Sequence, residues 1–309
     1  MFIKVSIKAF GINICLALVT SMLFLLPGSK AHAQNEMDKP GIYYAITGNG
    51  LQDTSWLFGT YHLVNNDYLN ELPAVETSFE KARGLIVEIE VDSATVQKTQ
   101  TMGLMHDKTL TSLLDKDFRD SLDKELQQTI GASLMQVNQL KPMNVLLTLS
   151  IVQLIKNNKE KLNKYGGLPL DSWFVKEGKQ TNKTISPLET VEEQMTILFS
   201  RTTDEEQVVQ LKQYMNHKQE MTRLGDDLLL SWFNHDINKL YRIYEKTLQL
   251  SGESDYLVKE RNDKWMKKLP GLLAREPQFI AVGALHLAGP SGLISQLQQL
   301  GYTVTALKP

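Results

Sequence analysis

Two histidines reach the same local setting from opposite ends of the chain. Trp56-Leu57-Phe58-Gly59-Thr60-Tyr61-His62 is an apolar run that stops at a glycine and then delivers a histidine. Phe279-Ile280-Ala281-Val282-Gly283-Ala284-Leu285-His286 repeats the arrangement, and leucine follows both histidines. Imidazole is the side chain best placed to exchange protons or bind a metal near neutral pH. A single such histidine more often caps a loop carbonyl. Recurrence of the whole strand–Gly-x-x-His–Leu context instead favours one site closed by both ends of the chain. The glycines let the backbone turn tightly or approach a ligand closely. Of the other histidines, His32 falls in a leader segment, and His106, His217 and His235 lie in polar or helical surroundings and read as surface residues.

Acidic and basic candidates come next. Leu85-Ile86-Val87-Glu88-Ile89-Glu90-Val91 reads as a strand, on which alternate residues share a face, so Glu88 and Glu90 lie together with Ile86. A carboxylate late on a buried strand needs a partner or a task. A merely solvated strand end suits Glu90 better, which leaves Glu88 as the functional candidate. Arg261 sits four residues from both Leu257 and Trp265, on the apolar stripe of its helix. A guanidinium there must meet a carboxylate or a substrate oxyanion; Glu189 and Asp171 are the candidate partners. An ion pair that only orients the fold and a catalytic role both fit this pattern. No His-Glu-x-x-His helix, Gly-x-Ser-x-Gly elbow, P-loop or Gly-x-Gly-x-x-Gly fingerprint is present.

The elements around these residues alternate. Strands at Tyr43–Ile46 and Ser55–Phe58 flank a Gly48-Asn49-Gly50 turn. A helix from Pro73 to Arg83, with proline at its start and Gly84 after its end, leads to the Leu85–Val91 strand. From about 95 to 180 the pattern is mainly helical. It includes an amphipathic Lys116–Thr129 segment and an apolar Pro142–Lys156 segment that reads as core. A short helix starts at Asp171–Lys176, and Lys183–Leu188 reads as a strand. Thr190 and Glu193 form a capping-box signature for the next helix. Helices then fit Asp204–Met221, Asp236–Leu250 and Ser254–Lys268, followed by a Phe279–Val282 strand, a Pro290–Leu300 helix and a last strand at Tyr302–Leu307. Strand–helix alternation indicates an α/β fold: a central mixed, mostly parallel sheet flanked by helices, with a helical insertion. In such sheets ligands bind beyond the carboxyl ends of the strands, where both histidines fall.

Of the 309 residues, the first 33 read as a secretory signal peptide. Lys4 and Lys8 precede an apolar run from Phe10 to Leu26, and Ala31-His32-Ala33 supplies a cleavage site after Ala33. Residues 34–309 then form one domain, periplasmic or secreted, with no membrane anchor once the leader is removed. Cys15, the only cysteine, leaves with it, so thiolate ligands and disulfides are excluded from the mature chain. Loss of Lys4, Lys8 and Lys30 takes the formal charge from −2 to −5, which gives no footprint for nucleic acid.

At these residues the chain resembles the TraB/GumN family, to which the Tiki Wnt-inactivating metalloproteases are related. The matching stretches are Trp56–Leu63, Val87-Glu88-Ile89, Leu188-Glu189-Thr190 with Glu193-Gln194, Arg261-Asn262, Val282–Leu287 with Gly289, and Gly301-Tyr302. They frame nearly all of the mature sequence. The resemblance implies an erythromycin-esterase/ChaN-like fold with His62, Glu88 and His286 binding a divalent metal, manganese or cobalt foremost and zinc possible. Glu88 would also take part in catalysis, with Glu189, Arg261 and Asn262 around it. The implied activity is an exported metal-dependent hydrolase, foremost a peptidase acting on a peptide or protein, in which the metal lowers the pKa of a bound water. Two alternatives stand beside it: a metal-free esterase-type hydrolase in which one histidine is the base and Glu88 orients it, and a haem-binding module.

Overall fold

A computed structural model of the chain describes residues 41–91, 101–251 and 255–309. The signal-peptide expectation lies outside the described residues. Among the described residues no helix is long and apolar enough to cross a membrane. The chain divides into two compact units. Counting described residues only, one is helical, from 91, 101–159 and 191–226; the other, from 41–90, 160–190, 227–251 and 255–309, holds the sheet. Residues 160–190, partly inside the stretch expected to be insertion, belong to the sheet unit.

In the helical unit the Pro142–Asn157 helix is apolar nearly all round and buries every residue from Pro142 to Ile151. A helix of that composition belongs in a core, and here the Lys116–Ile130, Val191–Phe199 and Asp204–Asn216 helices pack on it. Caps mark the boundaries. Asp115 accepts from the Phe118 amide, Gly131 ends that helix at φ +68°, and Thr203 with Glu206 makes a reciprocal capping box. The expected Asp204–Met221 helix stops at Asn216. A separate helix, Lys218–Phe233, follows, and beyond Met221 no element was expected.

The sheet has six strands: β1 Tyr43–Gly48, β2 Ser55–Thr60, β3 Gly84–Val87, β4 Thr184–Pro187, β5 Gln278–Gly283 and β6 Tyr302–Ala306. Their order is β4-β3-β5-β2-β1-β6. β1 is antiparallel to both its neighbours, whereas the β2/β5, β5/β3 and β3/β4 pairs are parallel. Both faces of β3 and β5 are buried, which their unbroken apolar runs require. Edge strand β6 alternates buried Tyr302 with exposed Thr303 and Thr305. Phe58, Phe79, Phe174 and Phe279 interlock in the core with ring centroids 5.1–6.4 Å apart.

β3 is shorter than expected. It ends at Val87, so Glu88 lies just past the strand. Its backbone carbonyl still accepts from the Glu189 amide at 3.0 Å. Val91 is exposed, and Glu90 pairs with Lys179 at 2.6 Å in a partly solvated position.

The register places the two glycine turns side by side. Gly59 is opposite Val282 and Thr60 opposite Gly283. A Cβ on Gly59 would stand 2.9 Å from both the Cα and the Cβ of Ala284 and 3.1 Å from Leu287. Carbon atoms do not approach so closely, and the obstacle is backbone. Gly59→Ala is therefore expected to destabilise the chain by about 1–3 kcal/mol through overpacking, read from the midpoint of urea unfolding. An unchanged midpoint would contradict this account of the glycine.

Candidate functional site

Four parallel strands end at one sheet edge, and the residue types singled out in the sequence follow each end. His62 comes after β2, His286 after β5, Glu88 after β3 and Glu189 after β4. The sheet thereby brings together His62, Glu88, Glu189, Arg261, Asn262 and His286, all within the sheet unit. Except for His62, whose side chain keeps 11% exposure, they are buried: Glu88 at 4%, Glu189 at 5%, and Arg261, Asn262 and His286 at 0%.

Arg261 is the hub. A π-helical turn, Tyr256–Glu260, capped by Asp255, feeds the Arg261–Trp265 helix and aims the guanidinium inward. Nε donates to Glu189 at 3.0 and 3.2 Å. Nη2 donates to Glu88 and to Glu189, each at 2.5 Å. Nη1 donates to the Leu257 carbonyl at 3.2 Å and to His286 Nε2 at 3.0 Å. All five guanidinium N–H groups are thus engaged inside the protein, leaving none for a substrate oxyanion. Of the two candidate partners, Glu189 meets Arg261 and Asp171 does not. Burial works against the Arg261 charge, yet Glu88 and Glu189 outweigh it and raise the pKa. The Glu189 carboxyl is pushed up by burial, with Arg261 opposing and Glu88 adding to the rise.

His286 is held in one tautomer. Arginine can only donate, so Nε2 is the unprotonated nitrogen and Nδ1–H donates to Asn262 Oδ1 at 2.7 Å. The Asn262 amide is fixed in turn, because Nδ2 donates to the carbonyls of His286 (3.0 Å) and Ser291 (2.8 Å). Burial, then the Arg261 and His62 charges, hold His286 well below the usual histidine pKa, so it is neutral. The Trp265 ring lies 4.2 Å from the imidazole, and its Nε1 donates to Glu189 at 3.3 Å. Glu88 Oε1 accepts from the Gly283 amide at 2.7 Å, which gives the second glycine turn its role.

These contacts bear on the metal centre that the resemblance implies. Both His286 nitrogens are occupied, one by a donated N–H and one by the proton given to Asn262, so the imidazole has no lone pair to offer. Glu88 uses one oxygen on Arg261 and the other on Gly283. Among the described residues no three His, Cys, Asp or Glu side chains converge as a ligand set. The residues as arranged do not fit a metal; a guanidinium already holds the place between the two carboxylates.

His62 is built differently. Its Nδ1 lies 2.5 Å from Asp171 Oδ2, and the other oxygen, Oδ1, accepts from Thr60 Oγ1 at 2.6 Å. Asp171 stands in the first turn of the Leu170–Gln180 helix, whose N-terminal end favours a carboxylate. Burial alone would lower the His62 pKa, but the charge and hydrogen bond of Asp171 prevail and raise it. Burial would raise Asp171, and His62 and Thr60 more than reverse that. Among the described residues Nε2 has no hydrogen-bond partner. His62 also lines a small cavity with Thr60, Tyr61, Leu228, Leu240, Ala284 and Leu285.

Several contributors carry no motif. Asp171 stands beside His62 across 109 positions. Trp232 donates Nε1 to the Gly59 carbonyl at 2.8 Å from the helix that was not expected. His235, read as a surface residue, is half-buried with its Nε2 3.0 Å from the Tyr68 hydroxyl; His106 and His217 are exposed.

Fold and site together define an α/β protein with a buried polar centre at the carboxyl ends of its parallel strands. The chain belongs to the TraB/PrgY/gumN family, whose model matches residues 42–306. No curated protein and no solved structure matches it. The family reading made from the paired Gly-x-x-His turns is borne out, as is the mixed, mostly parallel sheet.

Proposed function

We propose that this protein is a hydrolase of esters or amides in which His62 is the general base and Asp171 its orienting partner. The observation that carries the reading is the Thr60–Asp171–His62 chain. A carboxylate at Nδ1 favours the proton there, so the neutral ring keeps its lone pair on Nε2. A water oxygen attacks the substrate carbonyl carbon while its proton passes to Nε2. Collapse then breaks the bond to the leaving group, which takes that proton from His62. The products are a carboxylic acid and an alcohol or amine. Within the buried Glu88–Arg261–Glu189–His286 cluster, the Glu88 charge favours imidazolium as it forms on His62 and the Arg261 charge opposes it, so Asp171 supplies most of the stabilisation. Among the alternatives drawn from the sequence this is the metal-free hydrolase, with Asp171 rather than Glu88 as orienter. No step is routed through a metal.

The test is the pH dependence of ester cleavage by the purified protein, with and without a chelator. A base must be neutral to act, and the His62 pKa is raised. Activity should therefore climb with pH through an apparent pKa above the ordinary 6.5 and be indifferent to chelation. Loss of activity in chelator, restored by added manganese, would overturn the metal-free mechanism.

A further inference from the structure

The cavity beside His62 points to the substrate, and this inference rests on the hydrolase reading above. Its volume is about 20 Å³. A single water needs about 10–15 Å³, so the space takes one small group and not a chain. Its walls are Leu228, Leu240, Leu285, Ala284 and the Tyr61 ring, and such a lining favours an apolar occupant. The Thr60 hydroxyl on its rim is committed to Asp171. One wall cannot retreat. Ala284 is braced against Gly59, whose carbonyl is itself held by Trp232. Both the acyl group and the leaving group of a reacting ester or amide pass close to the base, but the leaving group must depart toward solvent, so a small enclosed pocket suits the group carried by the carbonyl carbon.

We infer that the site selects short aliphatic acyl groups, of acetyl to propionyl size, and rejects long, branched or charged ones. The leucine walls set the limit. This makes Leu240 and Leu228 specificity-determining residues.

The experiment compares p-nitrophenyl acetate, butyrate and octanoate on the purified protein and on Leu240→Val, with Leu228→Val as a second widened variant should the first fold poorly. Thermal shifts with acetate, butyrate and octanoate anions are recorded in parallel. The wild type is expected to favour acetate over octanoate by at least about tenfold in kcat/KM. The widened variants should move the optimum toward butyrate, and the thermal shifts should follow the same order. Octanoate turned over as well as acetate, or a preference unmoved in both folded variants, would overturn the inference. If no ester is cleaved but the anions still rank by size and the variants shift that ranking, the pocket stands and the base assignment falls. Neither cleavage nor size-ranked binding would overturn both.

Discussion

Arg261→Leu should unfold more easily than the parent by about 3–5 kcal/mol, the usual consequence of removing one partner from a buried ion pair. The substitution keeps an apolar side chain on the stripe between Leu257 and Trp265 but strips Glu88 and Glu189 of their shared cation at 5% exposure or less. It also removes the donor that holds His286 Nε2. Two carboxylates facing each other in a dry interior must then take up protons, admit water or move. Arg261→Lys will not rescue the loss. An ammonium offers three donors from one point, whereas five separate N–H directions are in use here. Replacing Arg261, Glu88 and Glu189 together with apolar residues should cost less than Arg261→Leu alone, since no stranded charge remains. Urea unfolding of the four proteins decides this. An Arg261→Leu chain as stable as the parent would mean that the cluster contributes nothing to holding the fold.

The second large effect concerns rate. Asp171→Asn is expected to reduce ester cleavage by about 10²–10⁴-fold, with a smaller loss of stability than Arg261→Leu. Asparagine can hold either imidazole tautomer, so Nε2 is no longer guaranteed its lone pair. The pH profile gives an independent reading. Asp171 is what lifts the His62 pKa against burial. Without its charge burial prevails, and the apparent pKa should fall while the maximum rate collapses. Thr60→Val, which removes only the hydrogen bond to Asp171 Oδ1, should produce a smaller change in the same direction. A rate loss with an unmoved pKa would separate Asp171 from His62 and point to a purely structural role.

Much of this centre could be read before any coordinates, for a physical reason. Parallel strands end in turns whose glycines and polar residues stay close in sequence to an apolar run, so His62, Glu88, Glu189 and His286 each announce themselves beside a recognisable strand. Arg261 was legible because a cation on an apolar stripe demands an anion. What stayed hidden belongs to helices that contribute one side chain each. Asp171 looks like any acid near a helix start, and its pairing with His62 depends on how that helix lies on the sheet. Trp232 and Leu228 sit on a helix that continues beyond His217, where a short break blurs the period. The extent of β3 was overestimated because Ile89 and Val91 prolong the apolar alternation past the point where the neighbouring strands stop. The Leu257–Trp265 spacing survives even though the backbone there loosens into a π turn, since four residues still bring side chains to one face.

The position of β5 has a consequence for folding. It is hydrogen-bonded between β2 and β3, and its glycine amide reaches Glu88 across 195 positions. As the chain folds, β2 and β3 therefore leave a gap between them that residues 278–283 fill. Contacts of such long sequence separation form slowly. Until that segment is in place the chain carries two open strand edges, one on β2 and one on β3, and Glu88 lacks the Gly283 amide. Open strand edges are templates for pairing with another chain, so refolding at high protein concentration is expected to lose more of the chain to aggregation than refolding at low concentration.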